Sequence, residues 1–486
     1  KLARKAAEES IVLLKNEEQI LPLKQGTKVA VIGDFAKTPR YQGAGSSLVN
    51  PAMPPESILE EIKDSGLTMT ACEQGYIRNR KPNAKLVKAA VEAAKNADVV
   101  LFFGGLDEIS ESEGLDRAHM HMPVAQDELI NELTTVNKNV IVVLSAGSSV
   151  EMPWYPYVKG IVHGYLGGQA GASAMLNVLT GKVCPSGKLN ETYPLHYEDT
   201  PAYEYYPSKE RSSEYREGLY VGYRYYTTVG KKVRFPFGFG LSYTTFTYRD
   251  LAVDQDGVTF KIKNTGDVTG TEIAQLYVGK ESDSVFRPLR ELKGFARVEL
   301  APGEEKEVKI LFDDKTFRFY DTRTDSWEVE TGTYQIMIGS NAEEMLLEGS
   351  LAVNGTVTEG GYSREELPEY FSGEIKNISD DTFRRLYGRG RSASSDCLVV
   401  YAMHNKFGAG RLGITVSVKL GCAVQRNRIK RLIREAYRLH LDELQPNTDL
   451  VVVARFRAVN APYERVERAY LRCLKQLGLL QTKEGK

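Results

Sequence analysis

The clearest signal of local structure lies at residues 423–438, which read AVQRNRIKRLIREAYR. One helical face of this stretch is apolar, because the three- and four-residue spacing of a helix is shared by Ile429, Leu432, Ile433, Ala436 and Tyr437. The opposite face is basic and is formed by Arg426, Lys430, Arg434 and Arg438, with Arg431 beside them. The pattern predicts an amphipathic helix with one buried face, interrupted by a single acid, Glu435.

The basic face has two interpretations. A solvated charged face is the usual interpretation of a helix rich in Lys and Arg. However, like charges four residues apart repel, so the face costs stability unless a polyanion neutralises it. The shortage of acids favours phosphate binding. The wider sequence agrees, since residues 381–486 carry a net charge of about +12 and residues 1–380 about −13, against −1 for the whole chain.

Composition and cysteine usage are those of a multidomain globular protein. A chain of 486 residues exceeds one ordinary core, and 42% hydrophobic and 26% charged residues are typical of soluble domains. No apolar run approaches the ~20 residues of a membrane helix, so no membrane partner is expected. The cysteines lack metal-ligand spacing, which predicts reduced thiols in a cytoplasmic protein; they are Cys72, Cys184, Cys397, Cys422 and Cys473.

Residues 1–240 alternate apolar runs with helical patterns. The runs are rich in β-branched residues, which suits strands buried on both faces, and they lie at residues 29–32, 99–103, 140–144 and 160–162. Between them, residues 83–96 and 124–136 repeat apolar residues at helix spacing, the first beginning near a capping Asn83. This alternation predicts a doubly wound α/β domain.

Residues 241–352 follow a different pattern. Apolar residues alternate with polar ones in three segments, at Val258, Phe260 and Ile262, at Val308, Ile310 and Phe312, and at Tyr334, Ile336 and Ile338. Short strands at regular spacing predict a β-sandwich. Residues 353–380 are polar and acidic, which predicts a linker with at most one short helix, and the basic domain then occupies residues 381–486.

Residues 378–482 resemble the bacterial ribonuclease P protein subunit. The similarity is carried by Phe383-x-x-x-Tyr387-x-x-Gly390-x-Ser392, Leu398-Val399-Val400-Tyr401, Arg411-Leu412-Gly413-Ile414-Thr415-Val416-Ser417 and Gly421-x-Ala423-Val424-x-Arg426-Asn427-Arg428-x-Lys430-Arg431-x-x-Arg434-Glu435. The resemblance implies a small α/β sandwich with a left-handed β-α-β crossover. It also implies two RNA partners, a catalytic RNA and precursor tRNA, with Mg²⁺ acting through the RNA rather than bound by protein side chains.

The resemblance also implies roles for individual residues. The aromatics expected to face the 5′ leader of precursor tRNA are Phe383, Tyr387 and Tyr401; from the residues taken singly, a core position is the favoured interpretation of each. The residues expected to face RNA from the basic stretch are Arg426, Asn427, Arg428, Lys430, Arg431, Arg434 and Arg438. Two departures from the family, Cys422 in place of Asn and Val418 in place of Lys, predict somewhat weaker phosphate contact there.

The first 380 residues resemble the accessory part of a family 3 glycoside hydrolase. The similarity is carried by residues 7–16 (AEESIVLLKN), Glu113-Gly114-x-Asp116-Arg117, residues 167–171 (GGQAG), residues 185–189 (PSGKL) and residues 236–243 (PFGFGLSY). It implies an α/β sandwich followed by a fibronectin-III-like β-sandwich. It further implies β-linked saccharides, such as β-glucosides, as the substrate class.

Within that family a retaining mechanism needs two carboxylates about 5–5.5 Å apart. The resemblance places the acid/base at Glu113, with Asp116 and Arg117 on the substrate side to orient it. The nucleophile of the family is an Asp in a (β/α)₈ barrel, within an Asp-Trp strand end, and neither Trp154 nor Trp327 follows an Asp. Because no segment has room for a barrel, we expect no glycosidase activity from this chain alone.

Three hypotheses for function therefore stand together. The chain acts through its RNA-binding domain, it is half of a glycosidase completed by a separate barrel, or its N-terminal body binds sugars or acts as a scaffold without catalysis. One further loop, residues 41–47 (YQGAGSS), follows a strand but lacks the Gly-Lys-Ser/Thr of a phosphate loop and the third Gly of a dinucleotide site. It is interpreted as a substrate-side loop or a plain turn.

Overall fold

A computed structural model describes residues 1–78, 81–207, 215–281, 285, 287–321, 326–357, 376–377, 380–406, 410–420, 423–459 and 461–481. The chain forms two compact units, residues 1–364 and residues 365–486. The predicted linker at residues 353–380 falls largely outside the described residues. In the described part of the chain, no helix combines the length and hydropathy needed to cross a membrane.

The first domain of the N-terminal unit is built on a six-stranded sheet. The sheet contains β1 (Val12–Asn16), β2 (Lys28–Ile32), β3 (Thr68–Glu73), β4 (Val99–Gly105), β5 (Val140–Ser145) and β6 (Gly160–His163). Two further strands, β7 (Tyr193–Pro194) and β8 (Val233–Phe235), form a separate two-stranded sheet. The sheet order is β1-β6-β5-β4-β2-β3, and only β1 runs antiparallel to its neighbour. The four predicted runs correspond to β2, β4, β5 and β6.

Helices cover both faces of this sheet. They are α1 (Leu2–Ser10), α2 (Ile58–Glu61), α3 (Ala84–Lys95), α4 (Val124–Val136) and α5 (Gly171–Leu179). A further helix, α6 (Tyr223–Val229), packs instead through Tyr223 with Tyr277. Residues of α3 and α4 pack with Val100 and Phe102, whereas residues of α1, α2 and α5 pack with Leu101. Asn83 caps α3, its side-chain oxygen accepting from the backbone of Lys85 at 3.1 Å and Leu86 at 3.3 Å. The doubly wound prediction is confirmed.

The second domain is an antiparallel β-sandwich. Its strands are β9 (Phe246–Val253), β10 (Gly257–Asn264), β11 (Gly270–Gly279), β12 (Glu291–Leu300), β13 (Glu305–Leu311), β14 (Arg318–Asp321), β15 (Ser326–Val329), β16 (Gly332–Gly339) and β17 (Met345–Val353). They form a sheet β13-β10-β9, a sheet β12-β11-β16-β17 and the pair β14-β15. The alternation predicted for Phe260 and Ile336 places both in the core between the sheets.

The described residues of the C-terminal unit form one mixed sheet and three α-helices. In chain order its elements are β18 (Lys376–Asn377), α7 (Asp380–Arg389), β19 (Arg391–Ser394), β20 (Leu398–His404), β21 (Arg411–Thr415), α8 (Ala423–Leu439), β22 (Thr448–Ala454) and α9 (Tyr463–Leu477). The sheet order is β18-β21-β22-β20-β19. Neighbouring strands β21 and β22 are parallel and joined through α8, which makes the expected β-α-β unit. Its left-handed sense stays a prediction.

The two faces of this sheet are covered differently. Alternate residues of the strands, among them Val400 and Leu450, pack against α8 and α9 in one large core. The other face carries α7, whose Leu386 is buried with Val451 beside half-buried Tyr401. Because strand side chains alternate between faces, Tyr401 and Thr415 belong to the face that α7 covers.

Candidate functional site

Helix α8 buries the face that the sequence predicts. All five of its predicted apolar residues are buried, with exposed fractions from 0% to 9%: Ile429, Leu432, Ile433, Ala436 and Tyr437. They pack in the core shared with α9. The helix is therefore fixed to the domain by its apolar face, and its basic residues are directed to the helix sides and surface.

The cations of α8 differ in their surroundings. Arg431 is exposed, whereas Arg426, Arg428, Lys430, Arg434 and Arg438 are half-buried. Arg428 donates from Nη1 to the carbonyl oxygen of Ala461 at 2.9 Å, and Arg438 forms an ion pair with Glu435, with Nε 3.1 Å from Oε2. Arg438 is thus matched by the one acid of the helix, and Arg428 also connects α8 to the start of α9. The side chain of Asn427 lies outside the described residues.

The structure brings two of the three predicted aromatics together. The rings of Tyr387 in α7 and Tyr401 in β20 meet edge to face, with centroids 4.9 Å apart and planes at 74°. The hydroxyl of Tyr387 is hydrogen-bonded to the hydroxyl of Thr415 in β21 at 2.9 Å. Tyr387 remains 43% exposed. The side chain of Phe383 lies outside the described residues, although its backbone is part of α7.

A buried carboxylate in the same unit escaped the sequence reasoning. Asp449 in β22 is fully buried and accepts two bonds from Arg411, from Nε at 2.9 Å and from Nη2 at 2.6 Å. Asn405 donates to the same carboxylate at 2.7 Å. This cluster ties together the ends of β20, β21 and β22. The available signal was a lone acid at the start of an apolar strand, since a buried carboxylate needs a partner.

Glu113 lies in the glutamate loop, which we define as residues 107–117. It lines a cavity of about 290 Å³ together with Arg40, Ser47, Glu111 and Arg117. Its Oε2 accepts from the backbone N–H of Ser46 at 2.7 Å and from the Ser46 hydroxyl. The Ser46 hydroxyl, followed by the Ser46 backbone N–H, holds the pKa of Glu113 below its ordinary value, because both donate to the charged form.

Residues 41–47, which we call the serine loop, therefore lie against the glutamate loop. The sequence alone is compatible with either a substrate-side loop or a plain turn here. Its contact with Glu113 and its position at the rim of the cavity favour the substrate-side interpretation.

The residues expected to orient Glu113 contact other partners. Arg117 donates to the hydroxyl of Ser148 at 2.8 Å and to the carbonyl of Ser149 at 2.9 Å. Glu111 accepts from the same hydroxyl at 2.6 Å, so Arg117 and Glu111 share one anchor. Asp116 is hydrogen-bonded to Tyr206, which raises the pKa of that phenol. Arg117 lines the cavity with Glu113, whereas Asp116 points to a different element.

Two further ionisable groups near this loop were not singled out from the sequence. Arg40 is 3% exposed and donates from Nη2 to the carbonyl of Glu111 at 3.0 Å. Burial raises the pKa of Glu191 to about 7, against the lowering effect of nearby Arg117. Neither belongs to a recognisable motif, and their proximity to the loop depends on tertiary folding.

The described residues provide neither a metal-binding cluster nor a disulfide. Among the described residues, no group of three or more His, Cys, Asp or Glu side chains has a geometry that could hold a metal ion. Cys72, Cys184, Cys397 and Cys473 are free thiols.

Comparison with protein families assigns each part of the chain. The glycosyl hydrolase family 3 C-terminal domain matches residues 11–243, and the fibronectin type III-like domain matches residues 272–342. The ribonuclease P family matches residues 376–478. This chain joins glycosyl hydrolase family 3 domains to a ribonuclease P domain.

The chain is similar to several glycosidases. Over 368 residues the chain is 46% identical to thermostable beta-glucosidase B of Acetivibrio thermocellus, covering 74% of this chain and 49% of the relative. It is 42% identical to an exo-alpha-(1->6)-L-arabinopyranosidase of Bifidobacterium breve, covering 73% and 49%. The crystal structure of a GH3 beta-glucosidase from Bifidobacterium adolescentis matches with a TM-score of 0.70 and 42% identity, covering 73% of this chain and 53% of that one. The chain thus spans about half the length of these relatives.

Proposed function

We propose that the ribonuclease P domain is the RNA-binding protein component of ribonuclease P and assists the endonucleolytic removal of the 5′ leader from precursor tRNA. The observation that carries the proposal is an excess of cations. Residues 381–486 contain 21 Lys and Arg but only 9 Asp and Glu, so most cations cannot be matched one to one by carboxylates of the same domain. Six of the cations lie on α8, where Arg431 is exposed and the other five are half-buried on the sides of the helix. A nucleic-acid backbone supplies the missing negative charge.

The two surfaces of the domain suit two kinds of RNA contact. The basic residues of α8, by resemblance, face the catalytic RNA through phosphate contacts. The edge-to-face pair Tyr387 and Tyr401, with Phe383 in the same helix as Tyr387, faces the single-stranded leader, where aromatic rings stack on bases. Mg²⁺ held by the RNA supplies the hydrolytic chemistry. The role of the protein is to bind and position both RNAs, which places it with the tRNA-processing machinery of the cytoplasm.

Salt dependence of RNA binding tests this proposal. Each phosphate contact releases a counterion, so the slope of log K against log salt falls by roughly 0.7 to 0.9 for each contact. The triple change Arg426→Ala, Lys430→Ala and Arg431→Ala removes three of the six cations of α8 and keeps Arg428, which is hydrogen-bonded to Ala461, and Arg438, which pairs with Glu435. We expect it to reduce the slope for precursor tRNA by about 2 to 3.

A charge-matched variant serves as the control. Lys24, Lys85 and Lys88 are exposed residues of the N-terminal unit, and changing all three to Ala removes the same charge. That variant should keep the original slope. An unchanged slope in the α8 variant, or an equal loss in both variants, would refute RNA binding through this helix.

A second function is favoured by the cavity at Glu113. We infer that the N-terminal unit is the accessory half of a family 3 glycosidase, with Glu113 as the acid/base for β-linked saccharides. A retaining mechanism needs a second carboxylate, which a separate barrel would supply. The test mixes this chain with the part of the 46% identical Acetivibrio thermocellus relative that this chain does not match, as the candidate barrel, and measures release of nitrophenol from a nitrophenyl β-glucoside.

The outcomes of that assay separate the remaining hypotheses. Hydrolysis that needs both chains and is lost in Glu113→Gln supports the accessory-half function. No hydrolysis in the mixture contradicts it. Saccharide binding that survives Glu113→Gln without turnover would instead support a non-catalytic sugar-binding module.

A further inference from the structure

We propose that Ser46 is a positioning residue for Glu113, holding it in the carboxylate form until the serine loop withdraws from the glutamate loop. The proposal rests on the second function above and assigns a role to a loop that the family resemblance does not mention. It concerns the state of the acid/base before substrate arrives.

The contact is made by two donors on one oxygen. The backbone N–H of Ser46 lies 2.7 Å from Glu113 Oε2, and the Ser46 hydroxyl donates to the same atom. Two donors directed at one carboxyl oxygen favour the charged form over the protonated form. A proton on Oε2 would compete directly with the backbone N–H, which cannot accept a hydrogen bond.

The serine loop is built to make this approach. Gly45 has φ of +81°, and a Cβ placed there would lie 2.7 Å from the Cβ of Glu113. Only glycine therefore allows the loop backbone to come so near. The loop is closed behind Ser46 by Gln42, whose side chain donates to the carbonyl of Val49 at 3.0 Å and accepts from its N–H at 3.1 Å.

The other charged groups at the cavity do not replace this contact. Arg40, Glu111 and Arg117 line the same cavity as Glu113. Arg40 is bonded to the carbonyl of Glu111, and Arg117 to Ser148 and Ser149. Ser46 is the residue that donates to Glu113 in the described hydrogen bonds of this side chain.

This contact has a consequence for catalysis. A general acid must carry its proton when the glycosidic bond breaks. The two Ser46 donors on Oε2 disfavour the protonated form of Glu113, so withdrawal of the serine loop makes it easier for the carboxyl to take up that proton. After the carboxyl gives its proton to the leaving-group oxygen, the carboxylate that remains is again the form that Ser46 binds.

The experiment is a pH titration of the Glu113 carboxyl carbon by NMR in the full chain, labelled with ¹³C at glutamate carboxyls. Glu113→Gln identifies the signal by its loss. Ser46→Ala removes one of the two donors and should move the titration midpoint upward by about half a unit or more. Ser47→Ala is the matched control, because its hydroxyl is directed at the carbonyl of Ala44 and not at Glu113. It should leave the midpoint unchanged.

A second variant guards against compensation by the backbone donor. Gly45→Ala forces the loop away through its clash with Glu113 and should raise the midpoint further. Equal midpoints in the original chain and in both Ser46→Ala and Gly45→Ala would overturn the proposal. The titration does not depend on catalysis. A two-chain assay without hydrolysis would refute the glycosidase function and leave the titration result unaffected. Equal titration midpoints together with hydrolysis in the two-chain assay would refute only the role of Ser46.

Discussion

The glutamate loop and helix α8 are opposite in charge and differ in how that charge is balanced. The loop has five carboxylates and one arginine in residues 107–117, whereas α8 has six cations and one carboxylate in residues 423–439. The loop carboxylates bind donors of their own unit. Glu113 accepts from Ser46, Glu111 from the N–H of Gly147 at 2.8 Å, and Glu108 from Arg78 at 3.0 Å.

Helix α8 has the opposite ratio of cations to acids. Its single acid pairs with Arg438, and the domain as a whole has more than twice as many cations as carboxylates. A cluster of charge that is bound by internal donors is suited to hold one group in a fixed ionisation state. A cluster that exceeds its internal partners is suited to bind an extended chain of opposite charge. The same unevenness of charge therefore indicates a small site in one unit and a macromolecular surface in the other.

The largest expected effect is on the stability of the C-terminal unit. It concerns Asp449, a buried carboxylate of that unit whose charge is matched by an internal partner. Asp449→Ala leaves the largely buried Arg411 without its carboxylate, and breaking such a pair costs roughly 3–5 kcal/mol of unfolding free energy. Cys473 is fully buried in this unit, so the fraction of Cys473 alkylated at increasing urea, read by mass spectrometry, follows its opening. The midpoint should fall markedly.

Two further variants make this test specific. Asp396→Ala removes an exposed pair with Arg465 and should leave the midpoint almost unchanged. The double change Arg411→Met with Asp449→Leu replaces the pair by apolar groups and should recover much of the loss. If Asp449→Ala and Asp396→Ala behave alike, the buried pair does not stabilise this sheet.

These clusters also show what the sequence could and could not reveal. The buried face of α8 follows from residue spacing alone, because helix geometry fixes which side chains share a face. The cap at Asn83 and the two-sided burial of β4 are local in the same sense. The contact of Ser46 with Glu113 joins residues 67 positions apart, and the pairing of Arg411 with Asp449 depends on strand register. Such contacts require the tertiary fold.

A second prediction concerns Asp127, a carboxyl group of the N-terminal unit whose protonated form is favoured in the folded state. Burial raises the pKa of Asp127 to about 7, although Trp154 donates to it at 2.8 Å and His121 lies near. In the unfolded chain its pKa is about 3.9. The folded state therefore holds the proton more tightly, and its stability falls as the pH rises from about 4 to about 7. The upper limit of the loss is about 4 kcal/mol.

Asp127→Asn removes this dependence and keeps an acceptor for Trp154. Both tryptophans lie in the N-terminal unit, so tryptophan fluorescence during urea unfolding reports on that unit. The difference in unfolding free energy, variant minus original chain, should be larger at pH 7.5 than at pH 4.5. In the control variant Glu92→Gln, which changes an exposed residue, this free-energy difference should be the same at both pH values. A pH-independent difference in Asp127→Asn would contradict the prediction.

The smallest effect distinguishes the two RNA surfaces proposed for the C-terminal unit. Tyr387→Ala removes a ring that would stack on a base, which weakens binding by about 1–3 kcal/mol, or about 5- to 150-fold. Tyr387→Phe keeps the ring and loses the hydroxyl that is hydrogen-bonded to Thr415, so it should cost less than about 1 kcal/mol. The measurement is the ratio of affinities for precursor tRNA and for mature tRNA without a leader.

That ratio distinguishes contacts to bases from contacts to phosphates. Tyr387→Ala should lower the ratio, because only precursor tRNA presents a leader to the aromatic pair. The triple variant of α8 should weaken both affinities together, because phosphates are common to both RNAs. If Tyr387→Ala weakens both equally, the tyrosine pair acts through the packing of α7 on the sheet. The cationic helix would then remain as the one RNA surface that the charge excess supports.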